Sequence, residues 1–293
     1  MTVPAPISIT HQHVLSVINT LLLDIPATSE PVLILDAGCG DGRLMHYLYR
    51  ALQSLNPNRT FVIHGFDVSD HGVQSRGFLS QTVKMLAELN PEVDWESRIF
   101  VIEQGQRWDF GDQQYDFVIS NQVLEHVRDK DRFFAEVYRA LKPGGRSVHL
   151  APLRSVIPEG HIDIPFAHRI NSFSALHGYI RLMSTLGIGK FKYARKDRAV
   201  DLQVYAERHA DYIYHWTAYS SEAETLRCAR ANFMRADFRF TSGFFSAKLR
   251  QVLRMKPRFR YAVRHYGFFD ALSVKILRYL SSVTLITEKK NTY

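Results

Sequence analysis

Leu35-Asp36-Ala37-Gly38-Cys39-Gly40-Asp41-Gly42-Arg43-Leu44 decides the fold, because it places a run of glycines between an apolar strand and a helix. The run from Pro31 to Leu35 predicts a strand buried on both faces, and residues 44–52 carry apolar side chains at helical spacing. Glycines allow positive φ and close approach of a ligand, and the start of a helix offers free N–H groups. The stretch therefore predicts a strand, a tight turn and a helix around a nucleotide-like ligand.

The glycine spacing distinguishes among the classes of ligand that glycine-rich turns bind. A dinucleotide-binding turn follows G-x-G-x-x-G and needs glycine at position 43, where this chain has Arg43. A phosphate-binding P-loop needs a Lys-Ser/Thr pair, and none follows. The pattern that is left, G-x-G-x-G preceded by Asp36, resembles the first motif of class I S-adenosylmethionine-dependent methyltransferases. That cofactor carries an ammonium and a sulfonium group and no phosphate, so a carboxylate beside the loop suits it.

A second acid follows the next predicted strand. Residues 60–66 have the composition of a strand, and Asp67 comes directly after them, about twenty-five residues past the loop. This is close to the interval at which an acid holds the ribose hydroxyls of a bound nucleotide. A turn or helix N-cap is the alternative role for Asp67. We expect Asp67 to bind the ribose.

The third predicted strand, Arg98 to Glu103, leads into the region where similar family members place an acid for the adenine amino group. This chain departs from them and has Gln106 there, whose amide oxygen can accept from that group. Trp108 either covers the adenine or packs at the rim of the core.

Residues 115–121 predict a fourth strand, and Gln122 to Val127 resembles the post-strand motif of the family. A residue just beyond the carboxyl end of a strand in an open α/β sheet faces the ligand crevice, so we expect Asn121 near the methionine end of the cofactor. An amphipathic helix then ends at Leu141-Lys142-Pro143-Gly144-Gly145, a familiar element of the family, before a fifth strand at 146–150.

These four ordered motifs span residues 31–152 and identify the chain as similar to class I methyltransferases with a type 11-like domain. The resemblance implies a Rossmann-like α/β fold, with a seven-stranded, mostly parallel sheet and helices on both faces. It implies S-adenosyl-L-methionine as cofactor and S-adenosyl-L-homocysteine as product. The cofactor-binding residues that it implies are Asp36, Gly38, Cys39, Gly40, Gly42, Asp67, Val68, Gln106, Arg107 and Asn121.

The rest of the expected fold lies late in the chain. Ser220 or Ser221 predicts a helix N-cap, residues 235–241 a sixth strand and residues 282–287 a seventh. We therefore expect a cofactor-binding core with an N-terminal helix in 1–152, a helical substrate lid inserted at 153–219, and completion of the core in 220–293. A basic amphipathic insertion, 243–280, precedes the last strand. Insertions at this point rise over the carboxyl ends of the strands.

The predicted lid contains a loop, Pro158 to Arg169, that is rich in groups able to move protons. Methyl transfer to a hydroxyl needs an aligned acceptor and a base. His161 is the first candidate for the base and His168 the second, and the alternative is that they stabilise the loop or lie exposed. Four aromatic residues either wall the acceptor pocket or pack in a helical core: Tyr212, Tyr214, His215 and Trp216.

The segment after the fourth predicted strand partly resembles a magnesium-binding motif. Some RNA 2′-O-methyltransferases of similar fold hold magnesium through Glu-x-x-Glu-His, and Glu125-His126 fits half of that pattern. Gln122 occupies the place of the first acid. Because magnesium prefers charged oxygen ligands, no metal site is predicted.

The composition bounds the class of protein. The chain of 293 residues with 46% hydrophobic content can bury a full core. Cys39 and Cys228 lie in unrelated contexts, so we expect no disulfide framework and a reducing, cytoplasmic compartment. Neither a secretory leader nor a run of about eighteen apolar residues is visible, so secretion and membrane spanning are not expected.

Positive charge is concentrated between Lys248 and Arg278. Nine Lys or Arg occur there with one acid, Asp270, which accounts for the formal net charge of +8. Two helical stretches each carry an apolar face, formed by Phe245, Leu249, Val252 and Leu253 and by Phe269, Leu272, Ile276 and Leu280. Such segments suit an anionic membrane surface, a phosphorylated or lipid-linked substrate or, less well, nucleic acid. Alternatively, both helices pack on the sheet and expose solvated basic faces.

Three functional hypotheses follow. The first is an S-adenosylmethionine-dependent methyltransferase that acts on oxygen of a small-molecule or sugar- or lipid-linked acceptor. The second is an RNA methyltransferase that uses the basic segment and whose affinity for RNA falls steeply with salt. The third is a non-catalytic protein that uses this fold to bind a partner or a membrane. Nothing in residues 153–219 matches a known acceptor signature.

Overall fold

The computed structural model describes residues 3–68, 77–103, 105–198, 200–233 and 235–290. Within these ranges one sheet contains β1 (Val32–Ala37), β2 (Phe61–Val68), β3 (Ile99–Ile102), β4 (Tyr115–Asn121), β5 (Leu141–Pro152), β6 (Arg235–Asp237) and β7 (Ser282–Glu288). The strand order is β3-β2-β1-β4-β5-β7-β6. β1 to β5 run parallel, and β7 is antiparallel to both β5 and β6. The predicted seven-stranded, mostly parallel sheet is confirmed.

Ten α-helices occur in the described part of the chain. They are α1 (Ile9–Leu21), α2 (Arg43–Leu55), α3 (Phe78–Leu89), α4 (Lys130–Ala140), α5 (Phe173–Thr185), α6 (Phe191–Arg198), α7 (Leu202–Trp216), α8 (Glu222–Arg230), α9 (Thr241–Val252) and α10 (Gly267–Leu280). Single 3-10 turns lie at Leu22–Asp24 and Ala167–Arg169, and the two-residue strands Pro158–Glu159 and Ile164–Pro165 pair with each other. The N-cap of α8 is Ser221, whose side chain accepts from the backbone N–H of Glu224.

Two strand boundaries differ from the sequence prediction by more than two residues. β6 ends at Asp237 instead of continuing to Thr241, because Phe240 adopts a left-handed φ of 67° and the buried Thr241 begins α9. β5 begins at Leu141 instead of Arg146. Leu141 pairs with Tyr115, and a register shift follows before Arg146 pairs with Phe117.

Both faces of the sheet are covered, which is typical of parallel sheets. Adjacent residues of β1 point to opposite faces, so Ile34 lies in the core beneath α1, α2, α9 and α10, and Leu35 lies in the core beneath α4 and α8. Both side chains are fully buried. The sheet therefore leaves its carboxyl edge, rather than a face, for a binding site.

Residues 153–219, called the insert below, build a third hydrophobic cluster of their own. Its buried members come from the loop before α5 and from α5, α6 and α7: Ile162, Ile164, Ala167, Leu176, Ile180, Phe191, Tyr205, Ala206, Ala210 and Ile213. The helical insertion predicted after the fifth strand is confirmed.

The insert is attached to the loop that follows β4. The backbone N–H of Ala218 donates to the carbonyl of Glu125 at 2.6 Å, and the His126 ring lies 2.7 Å from the Trp216 carbonyl through Nδ1. The Lys130 ammonium donates to the carbonyl of Ala218 at 2.6 Å. These bonds hold the end of the insert above the carboxyl end of β4.

Within the described ranges, no helix is both long and apolar enough to cross a bilayer.

Candidate active site

A cavity of about 620 Å³ lies at the carboxyl edge of the sheet, beneath the insert. The turn after β1, the ends of β2, β3 and β4, and the insert all contribute to its wall. Carboxyl ends of neighbouring parallel strands meet at this edge, which is where open α/β sheets bind ligands. The motifs predicted from separate parts of the sequence therefore converge on one cavity.

The glycine turn uses its residues in two different ways. Gly38 has φ +83°, and a Cβ added there would lie 2.6 Å from a methyl carbon of Val123. Gly40 has φ +53°, lines the cavity, and a Cβ added there would meet no protein atom within 4 Å. Gly38 also lines the cavity, but packing against Val123 excludes a side chain there. At Gly40 the open space allows a ligand to approach the backbone.

Alanine substitutions should separate these two roles. We expect Gly38→Ala to lower the free energy of unfolding by about 2–4 kcal/mol, since left-handed backbone strain adds to overpacking against Val123. Gly40→Ala should cost only about 1 kcal/mol in the free protein but weaken cofactor binding. Denaturant unfolding and cofactor titration of both variants check this. Equal loss of stability in the two variants would contradict the assignment.

Asp67 joins the glycine turn to the end of β2. Its carboxylate accepts the backbone N–H of Gly40 and that of Val68, each at 2.8 Å, and the residue is 8% exposed. Both Asp67 and Val68 line the cavity. The bond to Gly40 fixes the carboxylate where the turn opens to the ligand space.

Asp36 is buried directly before the turn, with 1% of its surface exposed. Among the described residues, none donates a hydrogen bond to either carboxylate oxygen. Burial, and then the negative charge of Asp67, raise the pKa of Asp36 to about 8. A buried acid without a partner beside a ligand cavity fits a cationic ligand, because a positive charge nearby stabilises the carboxylate. Asp36 itself is not among the described residues that line the cavity.

Glu103 is a site residue that the sequence interpretation missed. It lies in the cavity wall directly after β3, and its carboxylate accepts the side-chain N–H of Gln106, which also lines the cavity. The resemblance places the family's acid near Gln106, and the predicted third strand includes Glu103 as its last residue. An acid at the carboxyl end of the third strand, as Asp67 is at the carboxyl end of the second, was the available signal.

The remaining predicted cofactor residues take different places. Arg107 forms an exposed ion pair with Asp112 at 3.0 Å. It is not one of the residues that line the cavity in the described part of the chain. Cys39 and Gly42 belong to the turn but likewise do not line the cavity. Trp108 lines it, is 6% exposed, and packs against the Phe66 ring at 4.6 Å between ring centroids.

Asn121 lies in the cavity wall at the end of β4. Its amide N–H₂ donates to the Thr10 hydroxyl at 3.4 Å, which orients the amide. Its oxygen is buried and accepts no hydrogen bond from the residues that the structure describes. That oxygen can accept from a donor on a bound ligand.

His161 lies in the wall that the insert contributes, and a buried carboxylate holds its ring. Nδ1 is 2.6 Å from the carboxylate of Glu159, which is fully buried. The same carboxylate accepts the Tyr219 hydroxyl at 2.9 Å and the backbone N–H groups of His161 and Ile162. Burial acts to raise the pKa of Glu159, but these hydrogen bonds and the adjacent imidazole hold it below its ordinary value.

The other ring nitrogen of His161 faces Tyr212. Because Glu159 accepts at Nδ1, the neutral ring carries its proton there and Nε2 is an acceptor. The Tyr212 hydroxyl, which also lines the cavity, donates to Nε2 at 3.1 Å. Burial raises the pKa of Tyr212, so the phenol stays protonated. Glu159, His161 and Tyr212 thus form a hydrogen-bonded chain that runs from a buried carboxylate through the imidazole to the Tyr212 hydroxyl.

His168 and the predicted aromatic wall are only partly in the site. His168 is not among the described lining residues; its Nε2 lies 3.1 Å from the Arg154 carbonyl, and its ring lies against Tyr219 at 4.4 Å. Tyr212, His215 and Trp216 line the cavity, whereas Tyr214 is 41% exposed and lies beside Phe173. The geometry favours His161 over His168 as a base.

The segment after β4, which partly resembles a magnesium-binding motif, is not part of a cluster of metal ligands in the described structure. In the described ranges, no group of three or more His, Cys, Asp or Glu side chains is arranged to hold a metal ion. Gln122 is bound to the Leu150 carbonyl and the Ser282 hydroxyl. Glu125 is buried, and burial raises the pKa of its carboxyl group to about 7.

Comparison with known proteins gives one family and a set of related folds. A family model described as a methyltransferase domain matches residues 11–224. Phosphoethanolamine N-methyltransferase 2 of Caenorhabditis elegans is 30% identical over 82 residues, which are 28% of this chain and 18% of that protein.

Solved structures resemble the chain in fold. The phosphoethanolamine N-methyltransferase 2 of Haemonchus contortus has a TM-score of 0.44 at 16% identity, covering 94% of this chain and 52% of that one. An S-adenosylmethionine-dependent methyltransferase from Mesorhizobium loti has a TM-score of 0.48 at 14% identity, covering 92% and 95%. The chain therefore spans about half of the Haemonchus enzyme.

Proposed function

Because the chain belongs to the methyltransferase domain family, of class I fold with S-adenosyl-L-methionine as cofactor, we propose that it methylates an oxygen atom of a small-molecule or sugar- or lipid-linked acceptor. The observation that supports this most is the Glu159, His161 and Tyr212 chain, which faces the same cavity as the glycine turn. Methyl donor and base would then share one enclosed space. The insert would be the lid that forms the acceptor side.

The cofactor would lie along the carboxyl edge of the sheet. Gly40 leaves space for the backbone to meet the ligand, and Asp67 would hold the ribose hydroxyls. Glu103 together with Gln106 would accept from the adenine amino group. Asn121 and the buried Asp36 would stabilise the positive charges of the methionine portion. When bound, the cofactor supplies an electrophilic methyl group on a sulfonium.

His161 would take the proton of the acceptor hydroxyl. As the acceptor oxygen gains the methyl group, its proton would pass to Nε2 of His161, so that no charge is left on the methylated oxygen. Glu159 would stabilise the resulting imidazolium, as a buried carboxylate does for other catalytic histidines. The proton would reach Nε2 through the Tyr212 hydroxyl, which donates to that nitrogen, or directly once this hydroxyl turns away.

Titration calorimetry with S-adenosylmethionine and S-adenosylhomocysteine tests the donor side. We expect saturable binding of both, lost in Asp67→Ala. Labelled-methyl transfer into a cell extract, followed by the chemical stability of the product linkage, tests the acceptor side. Folded protein that binds neither compound would refute the proposal. Label recovered on nitrogen would reject O-methylation, and label recovered in RNA would establish the RNA methyltransferase instead.

A further inference from the structure

We propose that α9, α10 and the connection between them form a docking surface for an anionic phospholipid membrane. This surface, residues 241–280, is called the basic face below. Among the described residues, eleven of the twenty-two exposed large apolar side chains lie between Leu249 and Leu280. Phe268 is 76% exposed, Val252 69% and Leu253 59%. The apolar stripes of the two helices are therefore only partly used for packing on the core.

The cations of the basic face lack counter-charges. Of its nine Lys and Arg, only Arg278 forms an ion pair within the described structure, with Glu222 at 3.2 Å. Its single acid, Asp270, is 3% exposed and points inward. The Asp270 carboxylate accepts the backbone N–H of Ser242 at 2.8 Å and that of Tyr266 at 3.0 Å, so it holds the first turns of both helices. The exposed charge of the face is consequently positive.

A groove between α1 and the basic face combines both kinds of surface. It has a volume of about 800 Å³, and apolar side chains such as Phe245, Leu253 and Phe269 form much of its wall. Arg258 and Arg264 also line it. Guanidinium groups match the geometry of phosphate oxygens, while the apolar wall suits hydrocarbon. An anionic lipid presents both chemistries together.

The arrangement fits a bilayer better than nucleic acid. RNA would satisfy the cations, but it would leave aliphatic side chains such as Val252 and Leu272 in water. Amphipathic helices with basic flanks bind in the interface of anionic membranes by burying their apolar residues among the headgroups. A membrane surface would thus contact both the positive charges and the exposed apolar side chains of the basic face.

The basic face is also connected to the insert. The Ser155 hydroxyl donates to the Arg278 carbonyl, and the backbone N–H of Ile157 donates to the Tyr279 carbonyl, both at 2.8 Å. The end of α10 thus binds the first residues of the insert. If the proposed function holds, membrane docking brings a lipid-linked acceptor to the acceptor side of the cavity.

Co-sedimentation of the full chain with vesicles tests the membrane proposal without any cofactor. We expect binding to vesicles of phosphatidylcholine with phosphatidylglycerol, and at least tenfold weaker binding to phosphatidylcholine alone. Arg254→Glu with Arg258→Glu should weaken binding at least tenfold. Phe268→Ser with Phe269→Ser should do the same, because all four side chains are exposed and their replacement leaves the core intact.

Matched controls place the same changes elsewhere. Lys84→Glu with Lys290→Glu gives the same change in net charge, and Leu23→Ser with Leu186→Ser the same loss of exposed apolar surface. Both should bind like the unaltered protein. Equal losses in the controls, or no binding to anionic vesicles, would overturn the proposal. Unchanged vesicle binding by the phenylalanine variant would also overturn it, because it would indicate electrostatic adsorption only. Tighter binding of the protein to single-stranded RNA than to vesicles would overturn it as well. Since cofactor titration is a separate measurement, failure here leaves the proposed methyl transfer untouched.

Discussion

In the His161→Ala variant, methyl transfer is expected to fall about 10²- to 10⁴-fold, while the Kd for S-adenosylmethionine changes less than about threefold. The variant removes Nε2 of His161, which is the only nitrogen in the chain of Glu159, His161 and Tyr212 that can take the proton of the methyl acceptor. It leaves the glycine turn and Asp67 in place at the other side of the cavity. Turnover with the identified acceptor and calorimetric titration of the cofactor measure the two quantities.

His168→Ala is the matched comparison, because His168 lies in the same insert but not in the described cavity wall. It should retain most activity. Tyr212→Phe distinguishes a relayed proton from a direct one, since it removes the hydroxyl and keeps the ring. A loss as large as that of His161→Ala indicates a relay. Loss of cofactor binding in His161→Ala, or greater loss in His168→Ala, would disprove the assignment of His161.

Replacing Asp36 by asparagine is expected to weaken S-adenosylmethionine binding about 10- to 100-fold and to stabilise the free protein by about 2 kcal/mol. Burial raises the pKa of Asp36 from 3.8 to about 8, so the folded protein holds this proton more tightly than the unfolded chain does. The contribution of Asp36 to the free energy of unfolding therefore decreases as pH rises from 3.8 to about 8. Asparagine cannot ionise, so the variant does not lose this stability as the pH rises.

The same ionisation links cofactor affinity to pH. A cation in the cavity favours the Asp36 carboxylate, so binding releases a proton and affinity should rise with pH, by up to about tenfold per unit, until about pH 8. Calorimetry in buffers of different ionisation enthalpy counts the released proton, and thermal unfolding reports stability. In Asp36→Asn the pH dependence should be absent. A variant that is destabilised, or that keeps the dependence, would contradict this role.

The cavity wall beside the sheet was predictable in part, because its signals are local: six of the ten predicted cofactor residues line it in the described structure. Gly38 to Gly42 follow β1, and Asp67 and Asn121 lie in the last residues of β2 and β4. The parallel sheet brings those strand ends together. Glu103 was missed because Gln106 occupied the expected place in the sequence.

The acceptor side was less predictable because its contacts join distant parts of the chain. His161 was chosen by residue type, but its partner Tyr212 follows it by fifty-one residues, and Tyr219, the partner of Glu159, follows Glu159 by sixty. Nothing local to any of them signals the chain of hydrogen bonds. The periodicity of α9 and α10 likewise predicted amphipathic helices, but burial against the core decides which apolar side chains remain exposed.

The separate hydrophobic cluster of the insert has an evolutionary consequence. It shares no buried residue with the two clusters that flank the sheet. Effects of substitutions on stability add when sites are distant and share no partners, so we expect changes at the buried positions of this cluster to leave the two clusters that flank the sheet largely unaffected. On the proposed function, the chain can diverge toward new acceptors by altering one module, while the module that recognises the methyl donor is inherited unchanged.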